Sequence, residues 1–189
     1  MTRQPTRAVL LHGTASSPDD FWFPWLRKQL EDAGITDIYA PQLPEKEKAD
    51  LSIWVPYVLE NTYLDENTLI VAHSAGVPLT LSLLNQPHIK AFRAVLVAGF
   101  GFPIPGMAED HQTMPHVDWE QVKQSAEEFI FIHSDNDPWG CTIEQGLFLR
   151  EKLGGTLVAK TGHGHFGSNL FNQPYETFPI LAQLAIHGG

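Results

Sequence analysis

A serine stands among small residues in Val71-Ala72-His73-Ser74-Ala75-Gly76, where an apolar run gives way to a stretch with helical spacing. A serine on a sharp strand-to-helix turn projects from the carboxyl edge of a sheet, and small flanking residues let strand and helix approach closely around it. The usual pattern is G-x-S-x-G. Here Ala72 holds the first small position, a minor departure, because a methyl group is usually accommodated there. A helix beginning at once aims its first amides at the serine, so the N–H of Ala75 is placed to stabilise an oxyanion. The structural alternative is a serine that only caps a helix.

A serine nucleophile needs a base, and the base needs a partner that orients it. Turns of this kind are followed in chain order by an acid and then a histidine. The segment His133-Ser134-Asp135-Asn136-Asp137-Pro138-Trp139 supplies two carboxylates. Pro138 would fix a turn that points Asp137 inward, and Asp135 fits ordinary turn chemistry. Thr161-Gly162-His163-Gly164-His165-Phe166-Gly167 supplies two histidines, and the residues alone leave the choice between His163 and His165 open. A His-x-His pair could also hold a metal ion, but no third ligand with convincing spacing follows, so no metal is expected. His12-Gly13-Thr14 ends the first apolar run. Gly13 lets the backbone turn back, and Thr14 is the best source of a second oxyanion amide. The plainer reading is a strand-to-helix turn capped by Ser17 or Asp19.

These four segments need a scaffold that brings them to one edge. Strands are predicted at Arg7–Leu11, Asp37–Ala40, Thr68–Ala72, Ala91–Ala98, Glu128–Ile132 and Thr156–Lys160. Helices are predicted over about Asp20–Ala33, Asp50–Tyr63, Ala75–Leu84, Cys141–Leu153 and Tyr175–His187. Pro56 should kink the second helix or delay its start. Strand and helix alternate, and the strands read as continuous apolar runs. Both features indicate an α/β fold: a mostly parallel sheet of about six strands with helices on both faces. Gly99–Val117, rich in Gly, Pro, His and Met, reads as a long excursion over one end of the sheet that could serve as a lid.

The 189 residues suit one domain, and 43% are apolar, enough for a real core. The only early apolar run, Ala8–Leu11, is too short for a signal peptide or a membrane span. The single cysteine, Cys141, allows no internal disulfide and reads as a small residue at a helix start. A cytoplasmic protein is therefore expected. A formal net charge of −10 with scattered Lys and Arg disfavours nucleic acids and anionic membranes as partners.

The same motifs resemble the small serine-hydrolase family that includes the retinoblastoma-binding hydrolase and its bacterial relatives. The shared features are His12-Gly13, Trp22-x-x-Trp25, Ser52-Ile53-Trp54-Val55-Pro56, His73-Ser74-Ala75-Gly76, Asp137-Pro138 and Gly164-His165-Phe166. The resemblance implies a compact α/β-hydrolase fold with no large cap, and a catalytic triad of Ser74, Asp137 and His165. The Gly-His-Phe match is what selects His165 over His163. The retinoblastoma-binding motif Leu-x-Cys-x-Glu is absent around Cys141, so that partner is not predicted. Phe100–Trp119 matches no family member, so the substrate does not carry over. The expectation is esterase-like acyl transfer on a small ester or amide, with no cofactor. A capless site should be shallow and take short acyl groups, with Trp22, Trp54, Phe100, Phe102 and Trp139 as possible lining. The alternatives are a peptidase or thioesterase on the same fold, or a binding protein that has lost catalysis.

Overall fold

Apolar runs that hide both faces of a strand must lie inside a sheet covered on both sides. In the computed structural model, which describes residues 3–106 and 114–189, they do. The strands are β1 (Arg7–Leu11), β2 (Asp37–Tyr39), β3 (Thr68–His73), β4 (Ala91–Val97), β5 (Ala126–Ser134) and β6 (Thr156–Lys160). They form one sheet in the order β2-β1-β3-β4-β5-β6, parallel throughout. The helices are α1 (Phe23–Asp32), α2 (Leu51–Asn61), α3 (Gly76–Leu84), α4 (Trp119–Lys123), α5 (Ile143–Leu153) and α6 (Pro179–His187). This is an α/β-hydrolase fold, with no cap domain among the described residues.

Successive side chains of a strand point to opposite faces, and here they feed two separate cores. Val9, Leu11, Ile70, Ala72, Ala94, Leu96, Phe129 and Phe131 pack with α2, α3, α4 and α5. Ala8, Leu10, Leu69, Val71, Val95, Val97, Ile130 and Ile132 pack with α1 and α6. A common crossover hand explains the division: the β1-to-β2 step runs opposite to the later ones, so α1 falls on the other face. The strand order reverses at β1 and β3, the place where open α/β sheets bind ligands beyond their carboxyl ends.

Several boundaries differ from expectation for local reasons. The first helix begins at Phe23, with Pro24 in its first turn. The last begins at Pro179, because Tyr175 has φ 39° and Phe178 is non-helical. Helix α2 starts at its Asp50 cap, whose carboxylate accepts from the Ser52 N–H at 2.9 Å, and it continues through Pro56. Helix α4 was not expected. Its five residues are too few to show a period, and it is fixed by Asp118, which accepts from the Gln121 N–H. Of the proposed excursion, 99–106 and 114–117 are non-helical, and the remainder of the lid reading falls outside the described residues.

One close approach holds the turn at Ser74. A Cβ placed on Gly76 would lie 2.5 Å from the Leu11 carbonyl oxygen, so α3 runs against the end of β1 only because that residue is glycine. We expect Gly76→Val to destabilise the fold by about 2–3 kcal/mol, read as a lowered urea midpoint. An unchanged midpoint would show that the helix shifts freely.

Candidate active site

Ser74 sits between β3 and α3 with φ 55°, a left-handed conformation that a serine occupies at a cost of roughly 1–3 kcal/mol. The neighbours hold it there. Its N–H donates to the Val97 carbonyl at 3.0 Å, and its carbonyl accepts from the Val77 N–H at 2.9 Å. From the other side, Gly13 leaves no room for a side chain: a Cβ there would be 2.7 Å from the Ser74 Cβ. The Ser74 Oγ forms no hydrogen bond among the described residues and lines a cavity of about 500 Å³.

The loop after β5 and the loop after β6 are stitched together. Ser134 Oγ accepts from the His163 N–H at 3.0 Å, Asp135 from the Gly162 N–H at 2.8 Å, and Asn136 from the Gly164 N–H at 2.8 Å. This crossing delivers His165 to Asp137. The His165 Nδ1 lies 2.7 Å from Asp137 Oδ2, and both side chains are almost wholly buried. Asp137 Oδ1 accepts from the Trp139 N–H at 2.8 Å, so both carboxylate oxygens are engaged. His163 points elsewhere. Its Nδ1 meets the Tyr175 hydroxyl at 2.7 Å, and its ring stacks on Phe166. Asp135, exposed, only ties the two loops.

The family motifs gain physical reasons here. The His73 ring is buried against Trp22, and its Nε2 donates to the His165 carbonyl at 2.8 Å. Burial pushes the His73 pKa down to about 3, so it is a neutral strut. Trp22 donates to the Phe166 carbonyl at 2.9 Å. His12 accepts at Nε2 from the Leu43 N–H at 3.0 Å, which leaves Nδ1–H to donate to the Gly13 carbonyl at 2.7 Å. Burial lowers the pKa of His12 as well. A trans peptide points its N–H opposite its carbonyl, so the Thr14 N–H faces away from His12. Trp54 packs edge-on against His12 and donates to the Pro44 carbonyl at 2.8 Å. Thr14 and Ala75 both line the cavity, and neither N–H donates to another group among the described residues.

Of the five aromatic residues expected as possible lining, Phe100 and Trp139 reach the cavity. Trp22 and Trp54 are fully buried struts, and Phe102 packs on Phe148. The site is not shallow, because Phe21, Ile104 and Leu170 raise further walls around it. Cys141 is a wall residue too, its thiol pKa raised by burial. Single donor atoms of Asp137, Cys141 and His165 lie within 4.8 Å of one another. The sequence reading missed this cavity role of Cys141, and it missed Gln173. The Gln173 amide bonds to three backbone groups around His165. A lone glutamine in a loop carries no motif that would reveal this.

A family model described as serine hydrolase matches residues 8–183. The chain belongs to this serine hydrolase family. It is 26% identical over 174 residues to the serine hydrolase RBBP9 of Rattus norvegicus, covering 89% of this chain and 91% of that protein. It is 29% identical over 189 residues to the putative hydrolase YdeN of Bacillus subtilis, covering 96% and 93%. The crystal structure of the B. subtilis ydeN product superposes with a TM-score of 0.83 at 25% identity, over 95% of this chain and 96% of that one. Est1E from Butyrivibrio proteoclasticus, solved with ferulic acid bound, has a TM-score of 0.64 at 11% identity, over 97% of this chain and 88% of that one. That likeness is one of fold. Among the described residues no helix is long and apolar enough to cross a membrane.

The buried histidines set a pH dependence of stability. His73 and His133 titrate near 3 and 4 in the folded protein, against about 6.5 when unfolded. Between these values the unfolded chain binds more protons, so stability rises with pH up to about 6.5 and gains nothing from these groups above it. Each contributes at most about 1.4 kcal/mol per pH unit. Urea unfolding across pH 4.5–7.5 should show this slope, and His133→Gln should reduce it. An identical slope in that variant would contradict the assignment.

Proposed function

We propose that this family member hydrolyses small esters by acyl transfer through a Ser74–His165–Asp137 triad, as one domain in a reducing cytoplasm. The observation that carries the reading is the buried Asp137–His165 pair, 2.7 Å apart, whose histidine lines the same cavity as the strained Ser74. In this mechanism His165 takes the Ser74 proton as Oγ attacks the carbonyl, and the N–H groups of Thr14 and Ala75 receive the oxyanion. The imidazolium stays oriented by Asp137 and gives the proton to the leaving oxygen. Water, activated by the same histidine, then releases the acid from Ser74. The preference for esters over peptides rests on the apolar side chains that wall the cavity, Phe21, Phe100, Ile104, Trp139 and Leu170, which suit a small apolar acyl group.

The walls also favour a kind of substrate. Phe21, Phe100, Ile104, Trp139 and Leu170 are apolar, and Glu47 is the only Asp, Glu, Lys or Arg among the described lining residues. An uncharged ester with an apolar acyl group larger than acetyl suits this lining. Each buried methylene is worth about fourfold in kcat/KM.

Ser74→Ala and His165→Ala should each lose at least about 10⁴-fold in kcat while folding normally. Asp137→Asn should lose on the order of 10³–10⁴-fold, because the wrong imidazole tautomer is then held. His163→Ala should stay within about tenfold, since that ring meets Tyr175 and not Asp137. Kinetics on p-nitrophenyl acetate, butyrate and hexanoate check both claims. Substantial turnover by Ser74→Ala, or a larger loss from His163→Ala than from His165→Ala, would refute the assignment. A rate that falls with acyl length would refute the substrate preference.

A further inference from the structure

We infer that Gln173 is a positioning residue for His165, and thereby a determinant of turnover at the site proposed above. The inference rests on that reading of the site. His165 lies in a loop whose backbone closes on itself around the histidine through a long hydrogen bond, Phe166 N–H to the His163 carbonyl at 3.3 Å. Gly164 has φ 56°, Phe166 has φ 55° and Gly167 has φ 122°, so left-handed residues flank the histidine on both sides. Such a run persists only where its surroundings over-determine it.

The Gln173 amide provides much of that restraint. Its Oε1 accepts from the His165 N–H at 3.0 Å and from the Gly167 N–H at 3.4 Å. Its Nε2 donates to the His163 carbonyl at 2.8 Å. One planar side chain therefore grips the loop before, at and after the imidazole. The fit is close: a Cβ on Gly164 would lie 2.4 Å from the Gln173 Nε2. The His165 carbonyl, on the opposite side of that residue, is taken by His73. The backbone of His165 is thus fixed at both its N–H and its carbonyl, each time by a side chain and not by secondary structure.

Gln173 is itself anchored. Its N–H donates to the Ser168 carbonyl at 2.8 Å, and its carbonyl accepts from the Ser168 N–H at 3.0 Å. This reciprocal pair closes a short loop, 168–173, whose tip residue Leu170 lines the cavity. The clamp on the base and part of the cavity wall therefore belong to one loop.

The expected consequence is selective. Without the clamp the imidazole is free to leave its place against Asp137 in the cavity that Ser74 also lines. A misplacement of about 1 Å costs on the order of 100-fold. Gln173→Ala should lower kcat on p-nitrophenyl butyrate by about 10- to 100-fold and leave KM within about twofold, since Gln173 does not line the cavity. Gln173→Glu keeps the two accepted bonds and loses the donated one, so it should recover part of the lost kcat. That variant also serves should Gln173→Ala fold poorly. A merely structural glutamine gives a different pattern: lowered thermal midpoints, with kcat within twofold of wild type in whichever variants fold. That pattern would overturn the inference, as would a rise in KM without loss of kcat. Wild-type protein that hydrolyses no ester of the series would overturn the reading beneath it, and the inference with it.

Discussion

The arrangement depends on a serine held in a backbone conformation it would not choose. The left-handed turn at Ser74 is maintained by its bonds to Val97 and Val77 and by two close approaches, Gly13 against Ser74 and Gly76 against Leu11. Parallel strands supply the rigidity, since β3 is bonded on both sides and buried along its length. A strained residue on a rigid strand end costs a few kcal/mol and gains a side chain that stands clear of both strand and helix. The first loop, the post-β5 loop and the post-β6 loop are then arranged around that fixed point.

The histidines and tryptophans outside the proposed triad act through backbone groups. His12 turns the Gly13–Thr14 peptide, His73 and Gln173 take the two ends of His165, and Trp22 takes Phe166. Deep burial keeps His73 and His133 neutral at physiological pH. They can therefore carry fixed hydrogen bonds beside the His165–Asp137 pair without adding charge to it.

Much of this was legible in the sequence because it depends on local signals. Continuous apolar runs marked the buried strands, and small residues around Ser74 marked the turn. Asp137-Pro138 and Gly164-His165-Phe166 fell in loops at the same sheet edge. What was not legible depends on distant partners. Nothing near Gln173 announces a bond to His165, and nothing near Trp22 announces one to Phe166. Cys141 looked like a helix-start residue, and its place in the cavity wall arises from how the post-β5 loop folds back. The depth of the cavity was missed for a related reason: its walls come from Phe21, Ile104 and Leu170 on three separate loops, with no cap needed.

The central claim is that Ser74 is an activated nucleophile in this cavity. Its most direct test is covalent labelling with a fluorophosphonate, read by intact mass and peptide mapping on wild type and on Ser74→Ala. The account predicts one adduct on wild type, mapped to Ser74 and absent from the variant. No adduct on folded wild type, or an equal adduct on Ser74→Ala, would contradict it.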